Sequence, residues 1–298
     1  MSAKAGAIIA ALLCCGCAPP GLPAAPVEHA RTDLAAACGT RDGWSDPAPP
    51  AKIFGNVWDV GTCGITVLLV TSPAGHILID SGPADAAGYV TDNILSAGFE
   101  PRDVRWIVMS HEHNDHVGGF AALKAATGAR IAAGAVAARA LAQGQVGPDD
   151  PQAAIHQAFP PVQADQILED GETLALGPLR LTMHLTPVHS PGSASWTFQA
   201  TDGQGKSATI SYADSLTTIA ADDYRFADHA DRVAAVRSGL AMAASLPCGI
   251  LVTPHPGASN LFERLAGRAP LEDAAACRTY AEEARARFEQ RLAGETAK

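Results

Sequence analysis

The sequence predicts an α/β (α+β) protein in four layers, with two β-sheets stacked face to face at the centre and helices outside. Three observations lead there. Strand-like runs joined by turn chemistry alternate with helical stretches, the order strands, helices, strands, helices covers the chain in two halves, and in both halves strands run directly into polar loops. At 298 residues the chain is long enough for a sizeable core. No internal repeat and no boundary beyond an N-terminal arm is visible.

Lys4 and an apolar run from Ala5 to Leu13, followed by Cys14, Cys15 and Cys17, read as a secretory signal over residues 1–20. The run is too short for a permanent membrane span. Gly16-Cys17 resembles the end of a lipoprotein signal, but Cys14 stands where Leu is usual. Simple export to the periplasm is therefore the preferred reading, and a lipid anchor at Cys17 the alternative. Residues 21–43 form an arm, within a Pro- and Ala-rich stretch that Pro47, Pro49 and Pro50 close. A single domain is expected over 44–298.

Ile65 to Thr71 and His76 to Asp80 are β-rich runs around Ser72-Pro73-Ala74-Gly75, which predicts a hairpin. Asp85 to Ala97 reads as a helix with Val90 and Ile94 one turn apart and Gly98 as its stop. Val104 to Met109 is a short buried strand that leads into Ser110-His111-Glu112-His113-Asn114-Asp115-His116. Phe120 and Leu123 share one face of a helix that ends at Gly128, and Ala132 to Ala142 is helical by propensity. Residues 143–161 are irregular and contain His156 and Gln157, a flap beside a pocket.

Leu179, Leu181, Met183 and Leu185 alternate with polar residues, so this strand is half-buried and delivers Pro187-Val188-His189. Ser195 to Ala200 and Ser207 to Tyr212 are strands joined by Asp202-Gly203-Gln204-Gly205, the second ending at Asp214 and Ser215. A helix carries Val233, Val236 and Leu240, a strand spans Gly249 to Thr253, and Pro254-His255-Pro256 follows. The last helix carries Cys277, Tyr280, Ala284 and Phe288 on one stripe.

Of ten histidines, His111, His113, His116, His189 and His255 fall in loops directly after a strand. With Asp115 they divide into two three-ligand sites. His29, His76, His156, His184 and His229 are read as solvated or packing residues. Three protein ligands with an open position is the arrangement of a catalytic zinc, and structural zinc is usually closed by four ligands including Cys. Imidazole-rich sites also suit iron or nickel, so the presence of metal is read more firmly than its identity. Two ions close together can share a hydroxide and lower its pKa towards roughly 7, which is a hydrolase's nucleophile.

The composition limits partners. Lys+Arg 21 against Asp+Glu 31 leaves a net charge of −10, with no basic run to track phosphates, so nucleic acid is not expected. Cys38, Cys63, Cys248 and Cys277 are even in number and bound for an oxidising compartment, so two disulfides are expected, with four buried thiols as the alternative.

The segment His111-Glu112-His113-Asn114-Asp115-His116 resembles the H-x-H-x-D-H signature of the metallo-β-lactamase superfamily. Gly75-His76-Ile77-Leu78-Ile79-Asp80-Ser81-Gly82 is similar to its G-x-x-x-x-I-D-x-G strand end, and His189 and His255 follow in the right order. Ile53-Phe54-Gly55-Asn56, Thr186 to Gly192, Tyr212 to Thr217 and Leu251 to Gly257 resemble subclass B3. The resemblance covers Trp44 to the C-terminal helix. It implies an αβ/βα sandwich of two mixed sheets and two zinc ions, one on His111, His113 and His189, the other on Asp115, His116 and His255.

The same resemblance gives Asp115 a catalytic role in orienting the nucleophile. It places Ser215 and Thr217 by the substrate carboxylate, Ser215 standing where other subclasses have a zinc-binding Cys. It also pairs Cys248 with Cys277 and Cys38 with Cys63. Val188 departs from the family, which more often has Gly there, and Asp214 is read as a supporting residue and not as a metal bridge.

The function expected is zinc-dependent hydrolysis of the β-lactam amide bond in penicillins, cephalosporins and carbapenems, by a periplasmic or secreted monomer. The alternative is a metallo-hydrolase acting on a lactone, thioester or other ester, because fold and metal cage do not set the substrate. A non-catalytic exported metal-binding protein would be expected to have lost at least one ligand.

Overall fold

A computed structural model of the chain describes residue 1 and residues 32–297. The signal, Cys17, His29 and the first part of the arm lie outside the described residues. The fold described is that of the unit 31–298.

Its first element is a short helix, α1 (Leu34–Cys38), capped by the Asp33 carboxylate on the Ala36 N–H and buried through Leu34 and Cys38. Two strands then form an edge hairpin, β1 (Ala51–Phe54) and β2 (Val57–Asp59). Neither shows in the sequence pattern: β2 is three residues long and buried throughout, so it has no polar alternation. The hairpin predicted around Ser72–Gly75 is present as β3 (Leu68–Val70) and β4 (His76–Ile79), antiparallel with Leu69 opposite Leu78.

After a 3-10 turn at Ala84–Ala86, α2 (Ala87–Ser96) buries Val90 and Ile94 and stops before Gly98, which has φ 87°. Strand β5 (Val104–Val108) lies parallel to β4. A four-residue helix α3 (Asn114–Val117) and α4 (Phe120–Thr127) follow, the latter closed by Gly128 at φ 72°.

One expectation is corrected here. Residues 132–134 are not helical; they belong to β6 (Arg130–Gly134), which lies parallel to β5, and the helix α5 starts only at Ala135 and runs to Gln143. The propensity of Ala for helix is a few tenths of a kcal/mol per residue, and a buried sheet position outweighs it. Strand β7 (Gln166–Leu168) completes a seven-stranded mixed sheet in the order β1 to β7.

The second sheet has five strands: β8 (Thr173–Leu176), β9 (Leu179–Leu185), β10 (Ala194–Thr201), β11 (Ser207–Tyr212) and β12 (Ile250–Val252), in the order β12-β11-β10-β9-β8. All pairs are antiparallel except β11 with β12. Helix α6 (Ala230–Ser245) precedes β12, and α7 (Leu261–Leu265) and α8 (Ala276–Thr296) follow it.

The period-two alternation of strands sorts side chains into the layers. Ile77 and Ile79 of β4 meet Leu181, Met183, Trp196, Ile210 and Tyr212 between the sheets. Leu78, between them in sequence, faces the other way, towards Val90, Ile94, Phe120 and Leu123. On the far side, α6 and α8 pack through Val236, Leu240, Ala284 and Phe288, and Val188 is buried among them, so that departure from the family pattern fills helix packing. Disulfides join Cys38 to Cys63 and Cys248 to Cys277.

Asp59 at the end of β2 is buried, with its Oδ1 accepting from Gly61 N at 3.0 Å and Val67 N at 3.3 Å. Burial pushes its carboxyl up from 3.8 to about 7. Between those values the unfolded chain has released the proton and the folded chain still holds it, so stability falls as pH rises through the window. The full loss is of order 4 kcal/mol by linkage. Asp59→Asn keeps the acceptor and removes the ionisation, so its urea midpoint should be flatter than wild type between pH 4 and pH 7, as a set of melts on metal-free protein would show. Parallel pH profiles would contradict this.

Candidate metal centre

The strands that carry the expected ligands end at one edge of the sandwich. Strand β5 leads into His111, β9 into His189, β11 into Asp214 and β12 into His255. Three bonds between distant segments hold this edge together: Trp196 Nε1 donates to Met109 O at 2.8 Å, Ala194 N to Ser110 O at 2.7 Å, and Thr66 N to Pro254 O at 2.8 Å.

The histidine segment is not extended throughout. His113 is the N-cap of α3, and Asp115 and His116 lie on that helical turn, so Asp115 does not continue the side shared by His111 and His113. The turn directs it towards His116 Nε2 at 3.2 Å and His255 Nε2 at 3.5 Å. The ligand atoms of His111, His113 and His189 lie within 4.8 Å of one another, as do those of His111, Asp115 and His116. His111 therefore borders both groups, and His255 joins the second through Asp115. The rings of His116 and His255 are 5.0 Å apart.

Each of the five imidazoles has one nitrogen engaged by a partner behind it. His111 Nδ1 meets Asp214 Oδ1 at 2.8 Å, His113 Nε2 meets Asp150 Oδ2 at 3.0 Å, and His116 Nδ1 meets Asp80 Oδ2 at 3.1 Å. His189 Nδ1 is 2.9 Å from both the carbonyl and the hydroxyl of Thr217, and His255 Nδ1 donates to Gly64 O at 3.1 Å. The second nitrogen of every ring is thereby aimed at the shared space, which is how metal-binding histidines are held. His111 Nε2 is buried with no hydrogen-bond partner. A buried nitrogen without a partner is unfavourable unless something absent from the chain occupies it, so this donor set fits a metal.

The electrostatics agree. Burial pushes His111 well below its ordinary value, and the neighbouring imidazoles push the same way. His189 is lowered to about 3, by burial first and by His113 second. These rings are neutral and keep lone pairs for a ligand bond. His116 differs: burial opposes its charge, but Asp115 and Asp80 flank it and raise it to about 10. Burial also opposes the Asp115 carboxylate, yet His116 and His255 bring it well below the usual range. The pair holds a proton at the place where a cation would be equally welcome.

Asp214 sits behind His111, on the nitrogen facing away from the cluster, and burial pushes it well above the ordinary carboxylate range. That is a supporting position and not a bridging one.

A sequence profile of the metallo-β-lactamase superfamily matches residues 60–202. Among solved structures, the metallo-β-lactamase MIM-1 of Novosphingobium pentaromativorans is 58% identical with a TM-score of 0.88, over 89% of this chain and 98% of that one. The chain belongs to the metallo-β-lactamase superfamily. MEM-A1, a subclass B3 metallo-β-lactamase from a soil metagenome library, is 39% identical with a TM-score of 0.81, over 86% of this superfamily member and 99% of that chain. A probable metallo-hydrolase of Burkholderia pseudomallei (strain 1710b) is 33% identical over 150 residues, 45% of this chain and 47% of that protein. The chain spans less than half the length of the curated relatives it matches.

In this superfamily member His113, Asp115, His189 and His255 line a cleft of about 470 Å³, together with Trp44, Gln152, His156, Gln157, Ser215, Thr217 and Tyr280 among others. Ser215 and Thr217 are thus on the cleft wall, with Thr217 also bracing His189. His156 departs from the sequence reading. Its ring lies 4.2 Å from that of His113, tilted by 40°, and its ligand atom groups with those of His113 and Asp115. The other described histidines read as packing residues do pack: His76 against Phe99, His184 on Thr197, His229 on Tyr224. Asp150, which holds His113, was missed altogether. Its only signal was an Asp149-Asp150 pair near Gln152 and His156 in an irregular segment.

Proposed function

We propose that this protein is a zinc-dependent β-lactamase of the B3 type that opens the amide bond of penicillins, cephalosporins and carbapenems. The observation that carries the reading is the six-residue donor set, with each imidazole braced from behind. The chain's 58% identity to MIM-1, over 98% of that metallo-β-lactamase, supports the substrate class. His111, His113 and His189 would hold one zinc ion, and Asp115, His116 and His255 the other. Zinc there would polarise the lactam carbonyl and lower the pKa of a bound water to roughly 7.

The chain's own residues do the rest. Asp115 is ionised, so its carboxylate accepts a hydrogen bond from the attacking water and sets its direction. Asp214, Asp150, Asp80, Thr217 and the Gly64 carbonyl keep the rings from rotating. Ser215 and Thr217 present hydroxyl groups on the cleft wall, where they suit the carboxylate that these antibiotics carry. Export to the periplasm or beyond is supported by the two disulfides, which persist in oxidising compartments.

The deciding assay is carbapenem hydrolysis by purified, zinc-loaded protein. Turnover that a chelator abolishes and added zinc restores is the expected result. Full metal occupancy with no turnover of any β-lactam would remove the proposal, and turnover of a lactone or thioester instead would transfer the site to that ester chemistry.

A further inference from the structure

His189 lies in a turn between Thr186, just after β9, and Ala194, at the start of β10. In place of a ladder the turn has local bonds, Val188 N on Thr186 O at 2.6 Å, Ser190 N on Ser193 Oγ at 3.0 Å and Ser193 N on Ser190 O at 3.4 Å, which shape it without tying it to the rest of the fold. Pro187 and Pro191 have no N–H to donate, and the ladder continues only as far as Thr186 N on Ser193 O at 2.9 Å. Its outer side borders a cavity of about 840 Å³, lined in part by Pro187, Pro191 and Arg232. Apolar packing reaches it through Val188 on Val236 and Leu240.

Two buried charged groups hold its backbone. Before His189, Arg232 of α6 donates from Nη1 to Pro187 O at 2.5 Å and from Nη2 to Val188 O at 2.7 Å. After His189, Glu112 accepts from Ser190 Oγ at 2.6 Å and from Gly192 N at 2.9 Å. Arg232 is 9% exposed and Glu112 1%. Charges this deep are unfavourable unless hydrogen-bonded, and with Arg232 Nε buried without a partner, the two carbonyls are what hold its guanidinium. Gly192 suits the contact with Glu112, because a Cβ there would come within 2.6 Å of Glu112 Oε2.

We propose that Arg232 and Glu112 form a clamp that fixes His189 in the first metal position, as positioning residues that touch neither metal nor substrate. Glu112 stands between His111 and His113 in sequence, so one carboxylate joins the segment bearing two of the ligands to the turn bearing the third. Arg232 then ties that turn to α6. The three ligands become one rigid unit, and neither Arg232 nor Glu112 makes its clamp bonds to Asp115, His116 or His255 of the second site.

The inference rests on the reading that His111, His113 and His189 hold one metal. Zinc titration of metal-free protein against a chromophoric chelator, which resolves two dissociation constants, tests it in Arg232→Met, Glu112→Ala and their double variant. Arg232→Lys and Glu112→Gln serve as conservative variants, and thermal melts of the metal-free proteins run beside them. Each truncation should weaken one constant by roughly 10- to 100-fold and leave the other unchanged, as loss of a ligand's outer support does. The conservative variants, which keep one hydrogen bond apiece, should fall between. Lower melting temperatures with both constants unchanged, or both constants weakened equally, would overturn the clamp. Wild type that binds fewer than two zinc ions, or His189→Ala that leaves both constants intact, would instead overturn the metal-site reading.

Discussion

Replacing Asp115 with Asn is expected to lower kcat for carbapenem hydrolysis by roughly 100- to 1,000-fold, the scale of removing one preorganised charge from the transition-state environment. The substitution is nearly isosteric, so packing on α3 is unchanged and the loss reports charge. Asp115 Oδ2 lies 3.2 Å from His116 Nε2 and 3.5 Å from His255 Nε2, and it is 5% exposed. Without its negative charge, His116 keeps only Asp80 behind it and His255 loses the carboxylate beside its Nε2, so the second metal position should empty first. Zinc content measured alongside kcat and KM separates the effects: about one zinc per chain, partial recovery at high zinc, and a KM changed less than kcat are the expected signs. A variant that retains both zinc ions and near wild-type kcat would leave Asp115 with no part in the reaction.

The second large effect is expected at Asp80. Its carboxylate takes Ser110 N at 2.6 Å on Oδ1, and Ser110 Oγ at 2.7 Å, Tyr212 Oη at 2.7 Å and His116 Nδ1 at 3.1 Å on Oδ2. It is fully buried and sits at φ 67°. Asn tolerates that backbone region better than most residues, so Asp80→Asn adds little strain and reads the carboxylate alone. An amide NH₂ in place of Oδ2 would face three donors, or one oxygen would have to serve all of them. Breaking a buried charged network of this kind costs about 3–5 kcal/mol. Urea unfolding of the metal-free variant should show a loss of that size. His116 would also lose the group that fixes its ring, so second-site zinc affinity should fall by roughly 10- to 100-fold. A stability loss below about 1 kcal/mol, the value of an ordinary hydrogen bond, would mean that Asp80 is not the hub its geometry describes.

Much of the scaffold is legible in the chain because the signals are local. The β9 alternation, the turn residues between β3 and β4, and the glycines after α2 and α4 each act within a few residues. The strands that were missed, β1, β2, β7 and β8, are three or four residues long and hold their places through neighbours in the sheet. A pattern needs more residues than that to show a period. The mistaken start of α5 has the same origin, since a strand made of Ala is visible only once β5 and β7 lie beside it.

The site divides along the same line. Its donor types follow from the spacing of His111, His113, Asp115 and His116 and from two more histidines placed after strands. Most supporting groups do not, because they come from far along the chain: Asp150 is 37 residues from His113 and Ser190 is 78 from Glu112, and Asp214, 103 residues from His111, was read as a support only through the family resemblance. The position of Glu112 inside the motif does not say which way its side chain faces, Asp150 shows only as one of an Asp pair, and His156 looked like any polar residue in an irregular segment until the fold brought it to His113.

By itself, then, the sequence determined which residue types are gathered as candidate donors, because a short motif and strand-end positions are properties of neighbouring residues. Only the tertiary structure decided which nitrogen of each ring faces inward, which carboxylates stand behind them, and how the His189 turn is held. Those are choices between two faces of a ring or two sides of a turn, and they are made by partners that only folding brings within hydrogen-bonding distance.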